Sequence, residues 1–125
     1  MGGAVVEKTV YLSLLLDFYG DLLTEKQREF ADLYYNENLS LSEIAENGGI
    51  SRQAVRDALL RAESILRETE EKTGLAARHT KLLQQIGEAE GVLRRIGELN
   101  NRQFSSPALL SLCSELQGRL DEMKL

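Results

Sequence analysis

The sequence contains only one cysteine, one histidine and one proline, and it has no tryptophan. A single thiol, Cys113, cannot form a disulfide within the chain, and such cysteine usage is typical of a reducing compartment, so we predict a cytoplasmic protein. Because the one histidine, His79, has no second histidine or cysteine at metal-ligand spacing, the sequence favours neither a metal site nor a cofactor. No apolar run approaches the roughly 18 residues that a membrane span needs. We also find no catalytic motif, so we predict that the protein is not an enzyme.

With one proline in 125 residues and abundant leucine, glutamate, alanine and arginine, the composition favours helices throughout the chain. We therefore predict an all-α fold. The first helix is predicted over residues 7–19, and its buried stripe follows four-residue steps through Val10, Leu14 and Phe18, with Leu15 beside them. Gly20 comes next, where a left-handed C-terminal cap is expected.

Two capping-box patterns predict the starts of the second and third helices. Thr24 is followed three residues later by Gln27, and Ser40 is followed in the same way by Glu43. In each pair the two side chains can satisfy free backbone amides of the first turn. The residues predicted to face the core are Phe30, Leu33 and Tyr34 of the second helix and Leu41, Ile44 and Ala45 of the third.

A turn with two glycines separates the third helix from a fourth, which is the general form of a helix-turn-helix motif. Gly48 and Gly49 free the backbone for a tight turn. Ile50 is expected to fill the gap between the two helices, and Ser51 is expected to cap the fourth. The predicted buried positions of the fourth helix recur at helical spacing: Val55, Leu59, Ala62 and Leu66.

The remainder of the chain shows a different pattern, a narrow apolar seam suited to pairing with another helix. We predict a helical hairpin over residues 74–125, with a loop at 100–106 and a last helix that begins at Pro107 after the N-cap Ser106. The seam residues are Leu75, Leu82, Ile86, Ala89, Leu93, Ile96 and Leu99, and the residues of the last helix predicted to lie inside are Leu109, Leu112, Cys113, Leu116 and Leu120. The hairpin either folds back on the preceding domain or pairs with a second copy, and we predict a homodimer.

Charge is distributed unevenly along the chain. The net charge of −5 disfavours indiscriminate binding to phosphate backbones. Residues 1–50 carry three basic and nine acidic side chains, and residues 68–125 carry eight basic and nine acidic ones. Residues 51–67 carry four arginines against Asp57 and Glu63, so the one locally basic segment lies in the fourth helix.

In a helix-turn-helix motif the start of the second helix enters the major groove of DNA, where its outward side chains meet the base edges. We predict this role for the fourth helix, within a domain over residues 7–73 whose motif spans residues 40–66. Arginine and glutamine can hydrogen-bond guanine and adenine edges, while serine and the first amides of a helix can hold a phosphate. The predicted nucleic-acid-binding residues are Ser51, Arg52, Gln53, Arg56, Asp57, Leu60 and Arg61.

Two features of the sequence count against DNA binding. Asp57 would be repelled by every phosphate, and the acidic supporting helices weaken the long-range attraction that most DNA-binding proteins use. Two alternatives therefore stay open. In one, the domain is a scaffold whose outward arginines are only solvated; in the other, it binds a protein instead of a nucleic acid.

The motif segment resembles region 4 of bacterial sigma factors. The resemblance runs from LTEKQREF at residues 23–30 to SRQAVR at residues 51–56. Region 4 is a DNA-binding unit of the winged-helix-like superfamily, and it contacts the −35 element of promoters. The resemblance implies DNA-facing positions at Arg52, Gln53, Arg56 and Asp57, although the acid departs from the polar or basic residue of the family.

A longer part of the chain resembles the YlxM family of small bacterial cytoplasmic proteins. The resemblance begins with KTVYLSLLLDFYG at residues 8–20, continues with LLT at residues 22–24, and is close as far as about residue 73. This family has a sigma-region-4-like fold, and its genes lie near those of the signal recognition particle. The resemblance therefore implies a regulatory role in that pathway, with DNA, signal recognition particle RNA or the particle's GTPase as partner.

Overall fold

The computed structural model describes the backbone of residues 2–124 and the side chains of residues 7–124, and it contains no β-strand within that range. The six α-helices there are α1 (Gly2–Tyr19), α2 (Glu25–Ala31), α3 (Leu41–Gly48), α4 (Arg52–Thr73), α5 (Leu75–Leu99) and α6 (Pro107–Met123). The predicted all-α fold is confirmed. Within the same residues, none of the helices combines the length and apolar character needed to cross a membrane.

Local capping sets the starts of α2 and α3. Thr24 Oγ1 accepts the backbone N–H of Gln27 at 3.2 Å, and Gln27 Oε1 accepts the backbone N–H of Thr24 at 3.0 Å. Ser40 and Glu43 form the same reciprocal pair, with both distances 3.1 Å. Both predicted capping boxes are confirmed, and each satisfies two backbone amides that a helix start leaves free.

The chain divides into two compact units, of which the first ends at Ala76 and the second begins at Ala77. In the first unit, α1 to α4 enclose one apolar core. The core residues that α1 contributes are Leu12, Leu15, Leu16 and Tyr19. The stripe predicted for this helix was wrong in part: Leu15 is buried and Leu14 packs against the core, but Val10 is 63 % exposed and Phe18 is 36 % exposed. α1 is apolar on nearly every side, so its periodicity did not identify the face that packs.

The end of α2 differs from the prediction because the backbone widens there. Residues Asp32–Asn36 form a π turn, in which the N–H of Glu37 donates to the carbonyl of Asp32 at 3.1 Å. A π turn contains one more residue than an α-helical turn. Each side chain after it therefore lies about one position behind its α-helical place around the helix axis. As a result Tyr35 is buried, and the predicted core residue Tyr34 is exposed.

The glycine that follows α1 does not act as a left-handed cap. Gly20 opens a short 3-10 turn, Gly20–Leu22, in which the N–H of Leu23 donates to the carbonyl of Gly20 at 3.1 Å. The described glycines with positive φ are Gly49 at 64° and Gly74 at 63°, which follow α3 and α4. The chain leaves α1 by tightening the helix, and this exit needs no left-handed residue.

A buried group of hydrogen bonds lies where α4 gives way to α5. The hydroxyl of Tyr19 donates to Glu70 Oε1 at 2.6 Å and lies 2.5 Å from Thr73 Oγ1. The same Glu70 oxygen accepts the backbone N–H of Ala76 at 3.0 Å. Because Glu70 is 8 % exposed, these donors take the place of water around its carboxylate.

In the second unit, α5 and α6 form an antiparallel hairpin closed by Asn100. Asn100 is buried, and its side chain accepts the N–H of Ser106 at 2.8 Å and donates to the carbonyl of Ser106 at 3.0 Å. The loop predicted over residues 100–106 was wrong in part, because Asn100–Phe104 form a second π turn. The predicted cap of α6 is confirmed, since Ser106 Oγ accepts the N–H of Leu109 at 3.3 Å.

The hairpin buries few side chains of its own. Ile86, Leu93 and Leu120 are buried, and Cys113 is half-buried against them. Leu112 and Leu116, which were predicted to lie inside, are exposed, and so are these residues of the predicted α5 seam: Leu75, Leu82, Ala89, Ile96 and Leu99. Most of the apolar surface of α5 and α6 therefore has no covering within the hairpin itself.

Candidate nucleic-acid interface

Backbone bonds close the turn of the helix-turn-helix motif. Gly49 adopts a φ of 64°, and the N–H of Ile50 donates to the carbonyl of Ala45 at 3.1 Å, so α3 ends in a Schellman-type motif. Ser51 Oγ accepts the N–H of Ala54 at 3.1 Å and so caps α4 as predicted. The prediction that Ile50 fills the gap between the helices is wrong, because its side chain is 40 % exposed.

The buried side of α4 fixes which residues face outward. The side chains that pack into the core include Val55, Leu59, Ala62 and Leu66, as predicted. This line determines the rotation of α4 about its axis, so the opposite positions face solvent. The seven predicted nucleic-acid-binding residues are all exposed: Ser51, Arg52, Gln53, Arg56, Asp57, Leu60 and Arg61.

Three of these seven residues line one groove. Arg52, Gln53 and Arg56 surround a shallow cavity of 480 Å³ together with Leu41 of α3. They are one to four positions apart on α4, so they lie within about 100° of one another around the helix. Among the side chains of residues 7–124, none forms an ion pair or hydrogen bond with Arg52 or Arg56. Two guanidinium groups are therefore available to a ligand in this groove.

Gln53 and Asp57 are joined to each other on the outer side of α4. Gln53 Nε2 donates to Asp57 Oδ1 at 2.9 Å, across one helical turn. The bond orients the amide of Gln53 and occupies one of its donors. Asp57 directly follows Arg56 in sequence, so its carboxylate offsets part of the positive potential at this end of α4.

Farther along α4 the positive charge is interrupted by Glu63. This carboxylate accepts from Arg67 Nε at 3.0 Å and lies 3.3 Å from Lys8 Nζ. The guanidinium of Arg67 also lies 5.5 Å from the ring centre of Tyr11. Arg67 is thus held by its neighbours. The sequence analysis missed this group because Lys8 and Tyr11 belong to α1, far from Glu63 along the chain.

Arg61 lies apart from the groove. It is five positions after Arg56, which places the two side chains about 140° apart around α4. The fold therefore brings together Arg52, Gln53 and Arg56, with Asp57 at their side, and does not bring Arg61 to them.

A second cavity, of 310 Å³, adjoins the groove and shares Leu41 and Arg56 with it. Its other lining residues come from α1, the end of α2 and α4: Lys8, Thr9, Tyr34, Tyr35, Leu59, Leu60 and Glu63. Burial, and next the charge of Glu63, raise the pKa of Tyr35 to about 12, so this phenol stays neutral at physiological pH. The sequence did not predict this cavity because its walls come from separate helices.

Comparison with known proteins places the motif in a family. Residues 6–101 match a family model described as "Putative helix-turn-helix protein, YlxM / p13 like". A UPF0122 protein of Thermoanaerobacter sp. (strain X514) is 40 % identical over 116 residues, which cover 93 % of this chain and 96 % of the relative. A UPF0122 protein of Halalkalibacterium halodurans is 40 % identical over 112 residues, which cover 90 % and 96 %. A UPF0122 protein of Clostridium kluyveri is 54 % identical over 70 residues, which cover 56 % and 63 %.

The family match includes the whole helix-turn-helix motif and all of α5. The resemblance to the YlxM family noted in the sequence is therefore confirmed. This chain belongs to the UPF0122 family of YlxM- and p13-like helix-turn-helix proteins.

Proposed function

We propose that this chain is a cytoplasmic, nucleic-acid-binding regulatory protein that acts in the signal recognition particle pathway through the first half of α4. One observation carries the proposal: Arg52 and Arg56 lie side by side in an exposed groove at the start of a helix-turn-helix recognition helix, without partners among the described side chains. Recognition helices of this kind present such residues to the edges of bases.

Each groove residue has a role that its chemistry allows. Arg52 and Arg56 can donate two hydrogen bonds each to a guanine edge or bind phosphate oxygens. The hydroxyl of Ser51 accepts from the backbone and still has its own hydrogen to donate to a phosphate at the start of α4. With only two unpaired arginines lining this groove, we expect weak binding that falls as salt rises.

A titration of labelled duplex DNA and of signal recognition particle RNA, followed by fluorescence anisotropy at two salt concentrations, tests the proposal. Arg52→Ala and Arg56→Ala should each weaken binding several-fold and leave the thermal midpoint nearly unchanged. Arg28→Ala is the matched control, because Arg28 is paired with Asp21 at 2.6 Å and lines neither cavity described above. Absence of salt-dependent binding to either nucleic acid at micromolar protein would refute the proposal.

A second candidate function is a protein-interaction module that modulates the signal recognition particle GTPase. It is favoured by the acids beside the arginines, Asp57 and Glu63, and by the largely apolar cavity next to Arg56. Such a surface suits a partner with both apolar and charged groups better than a phosphate backbone. If pull-downs with the particle's protein components recover nothing and added protein leaves GTP hydrolysis unchanged, this candidate fails.

Asp57→Asn separates the two candidates. Asparagine keeps an oxygen that can accept from Gln53, so the substitution changes the charge and little else. Tighter binding of nucleic acid by the variant supports the first candidate, since a negative charge beside the phosphates is removed. Asp17→Asn, on the exposed side of α1, makes the same change of net charge away from the groove and serves as the control.

A further inference from the structure

α5 carries two apolar seams, and the hairpin uses only one of them. Ile86 and Leu93 lie on the seam that packs against α6. The second seam comprises Leu82, Gln85, Ala89, Val92, Ile96 and Leu99, and its spacing of 3, 4, 3, 4 and 3 residues is the heptad pattern of helices that pack together. All six residues of this second seam are exposed.

α6 has a matching exposed stripe. Leu112, Leu116 and Met123 recur at steps of four and seven residues, and they are 59 %, 46 % and 49 % exposed. Arg119 interrupts the stripe, but Glu115 on the same helix pairs with it at 3.4 Å. α6 thus presents an apolar line beside the residues, Cys113 and Leu120, that it packs against α5.

The two stripes lie on the same side of the hairpin. On each helix the stripe is rotated in the same sense from the buried line, by about 80° on α5 and about 60° on α6. Because the helices are antiparallel, equal senses of rotation bring both stripes to one side. On the other side Glu90 of α5 accepts from Gln117 and from Lys124 of α6, each at 2.8 Å. The side of the two stripes is therefore the continuously apolar side of the hairpin, whereas the other side combines these polar contacts with exposed Leu83 and Leu110.

We propose that the apolar side of this hairpin is the interface of a homodimer, in which two hairpins form one four-helix bundle. We call this side the hairpin face, and it consists of Leu82, Ala89, Val92, Ile96 and Leu99 with Leu112, Leu116 and Met123. A second copy carries the same face, and a twofold axis brings the two identical faces together, as closed dimers require. Helices with 3-4 spacing pack at the small crossing angle of such bundles.

The size of the hairpin face suits this partner. From Leu82 to Leu99 the face is about 26 Å long, and two neighbouring helices make it about 20 Å wide. Two such faces bury on the order of 1,000 Å² of accessible surface, the lower bound of a specific interface. The hairpin also needs the additional burial, because Ile86, Leu93 and Leu120 are few side chains to order two long helices.

The test measures mass in solution by sedimentation equilibrium of the full chain, without nucleic acid, so that its outcome is independent of the function proposed for α4. We expect the wild type to have twice the 14.0 kDa of one chain at micromolar concentration. Val92→Glu and Leu116→Glu place a charge on either helix of the hairpin face and should each give the monomer mass. Leu110→Glu is the control, because Leu110 is 57 % exposed on α6 but lies outside the face, and this variant should remain a dimer.

Far-UV circular dichroism of each variant verifies that the helices persist. Both glutamates replace exposed side chains, so the hairpin core of Ile86, Leu93 and Leu120 stays intact in either variant. A monomeric wild type at these concentrations overturns the proposal. A wild-type dimer that persists in both Val92→Glu and Leu116→Glu also overturns it, since the interface then lies elsewhere.

Discussion

Removal of one oxygen atom from Tyr19 should destabilise the first unit measurably. The hydroxyl donates to buried Glu70 at 2.6 Å and lies 2.5 Å from Thr73 Oγ1. Tyr19→Phe keeps the ring, which is 6 % exposed, and deletes both hydrogen bonds. A hydrogen bond to a charged group contributes about 1.5–3 kcal/mol, and Glu70 then keeps the N–H of Ala76 but loses the bond from Tyr19. We therefore expect a loss of about 2 kcal/mol in the free energy of unfolding.

The assay is equilibrium unfolding in urea, with thermal unfolding followed by far-UV circular dichroism. For a chain of this length, 2 kcal/mol corresponds to a fall of roughly 5–10 °C in the thermal midpoint. Tyr34→Phe is the matched control, because Tyr34 is exposed and its hydroxyl has no hydrogen-bond partner among the described residues; it should change stability by less than about 0.5 kcal/mol.

A second substitution tests whether the effect passes through the carboxylate. Glu70→Gln keeps an acceptor oxygen for Tyr19 and Ala76 but removes the charge, so we expect a smaller loss of about 1 kcal/mol. Since the two residues share one hydrogen bond, Tyr19→Phe and Glu70→Gln should not be additive when combined. If Tyr19→Phe is as stable as the wild type, or if the two losses simply add, the buried hydrogen bonds do not stabilise this junction as argued.

Three further predictions concern single positions. Gly49→Ala should cost about 1 kcal/mol, because φ is 64° there, whereas Gly48→Ala inside α3 should be neutral or slightly stabilising; urea midpoints compare the two. Ser40→Ala should cost about 1 kcal/mol by removing the cap of α3, which the same titration measures. Hydrogen bonds from Lys124 and Gln117 lower the pKa of Glu90 below its usual 4.5, so its stabilisation of the hairpin is present at neutral pH and is lost as pH falls through that lowered pKa. The thermal midpoints of Glu90→Gln and wild type should therefore converge in acid. A difference between the two midpoints that is the same at all pH values would contradict this.

Features that depend on a few adjacent residues could be predicted from the sequence. The caps at Thr24, Ser40 and Ser51 were predicted correctly, because each bond joins residues three positions apart. The stripe of α4 was also correct, because polar residues surround it on the other sides and leave one apolar face.

Features that depend on distant residues could not be predicted in this way. On α1 several apolar faces were available, and only the packing of α2 and α4 selects the one through Leu12 and Tyr19. Because of the π turn after α2, Tyr35 and not Tyr34 packs in the core, and no pattern in the sequence indicated that turn. At the candidate site, the sequence predicted nucleic-acid-binding roles for Arg52, Arg56 and Arg61. The fold separates Arg61 from the other two, because it lies on another side of α4. The fourth arginine of this segment, Arg67, is held by Glu63 and α1.

One measurement, the dependence of nucleic-acid affinity on salt concentration, tests the proposed dimer and the proposed ligand together. Each neutralised phosphate adds about −0.9 to the slope of log affinity against log salt. A monomer that offers Arg52 and Arg56 should have a slope of about −1.8, and a dimer that offers both pairs to one nucleic acid should reach about −3.6. Between 50 and 200 mM salt these slopes correspond to losses of roughly 12-fold and 150-fold in affinity. Val92→Glu leaves both arginines in place, so it should halve the slope if dimerisation joins the two recognition helices on one nucleic acid. An unchanged slope in a variant that sediments as a monomer would mean that each copy binds alone.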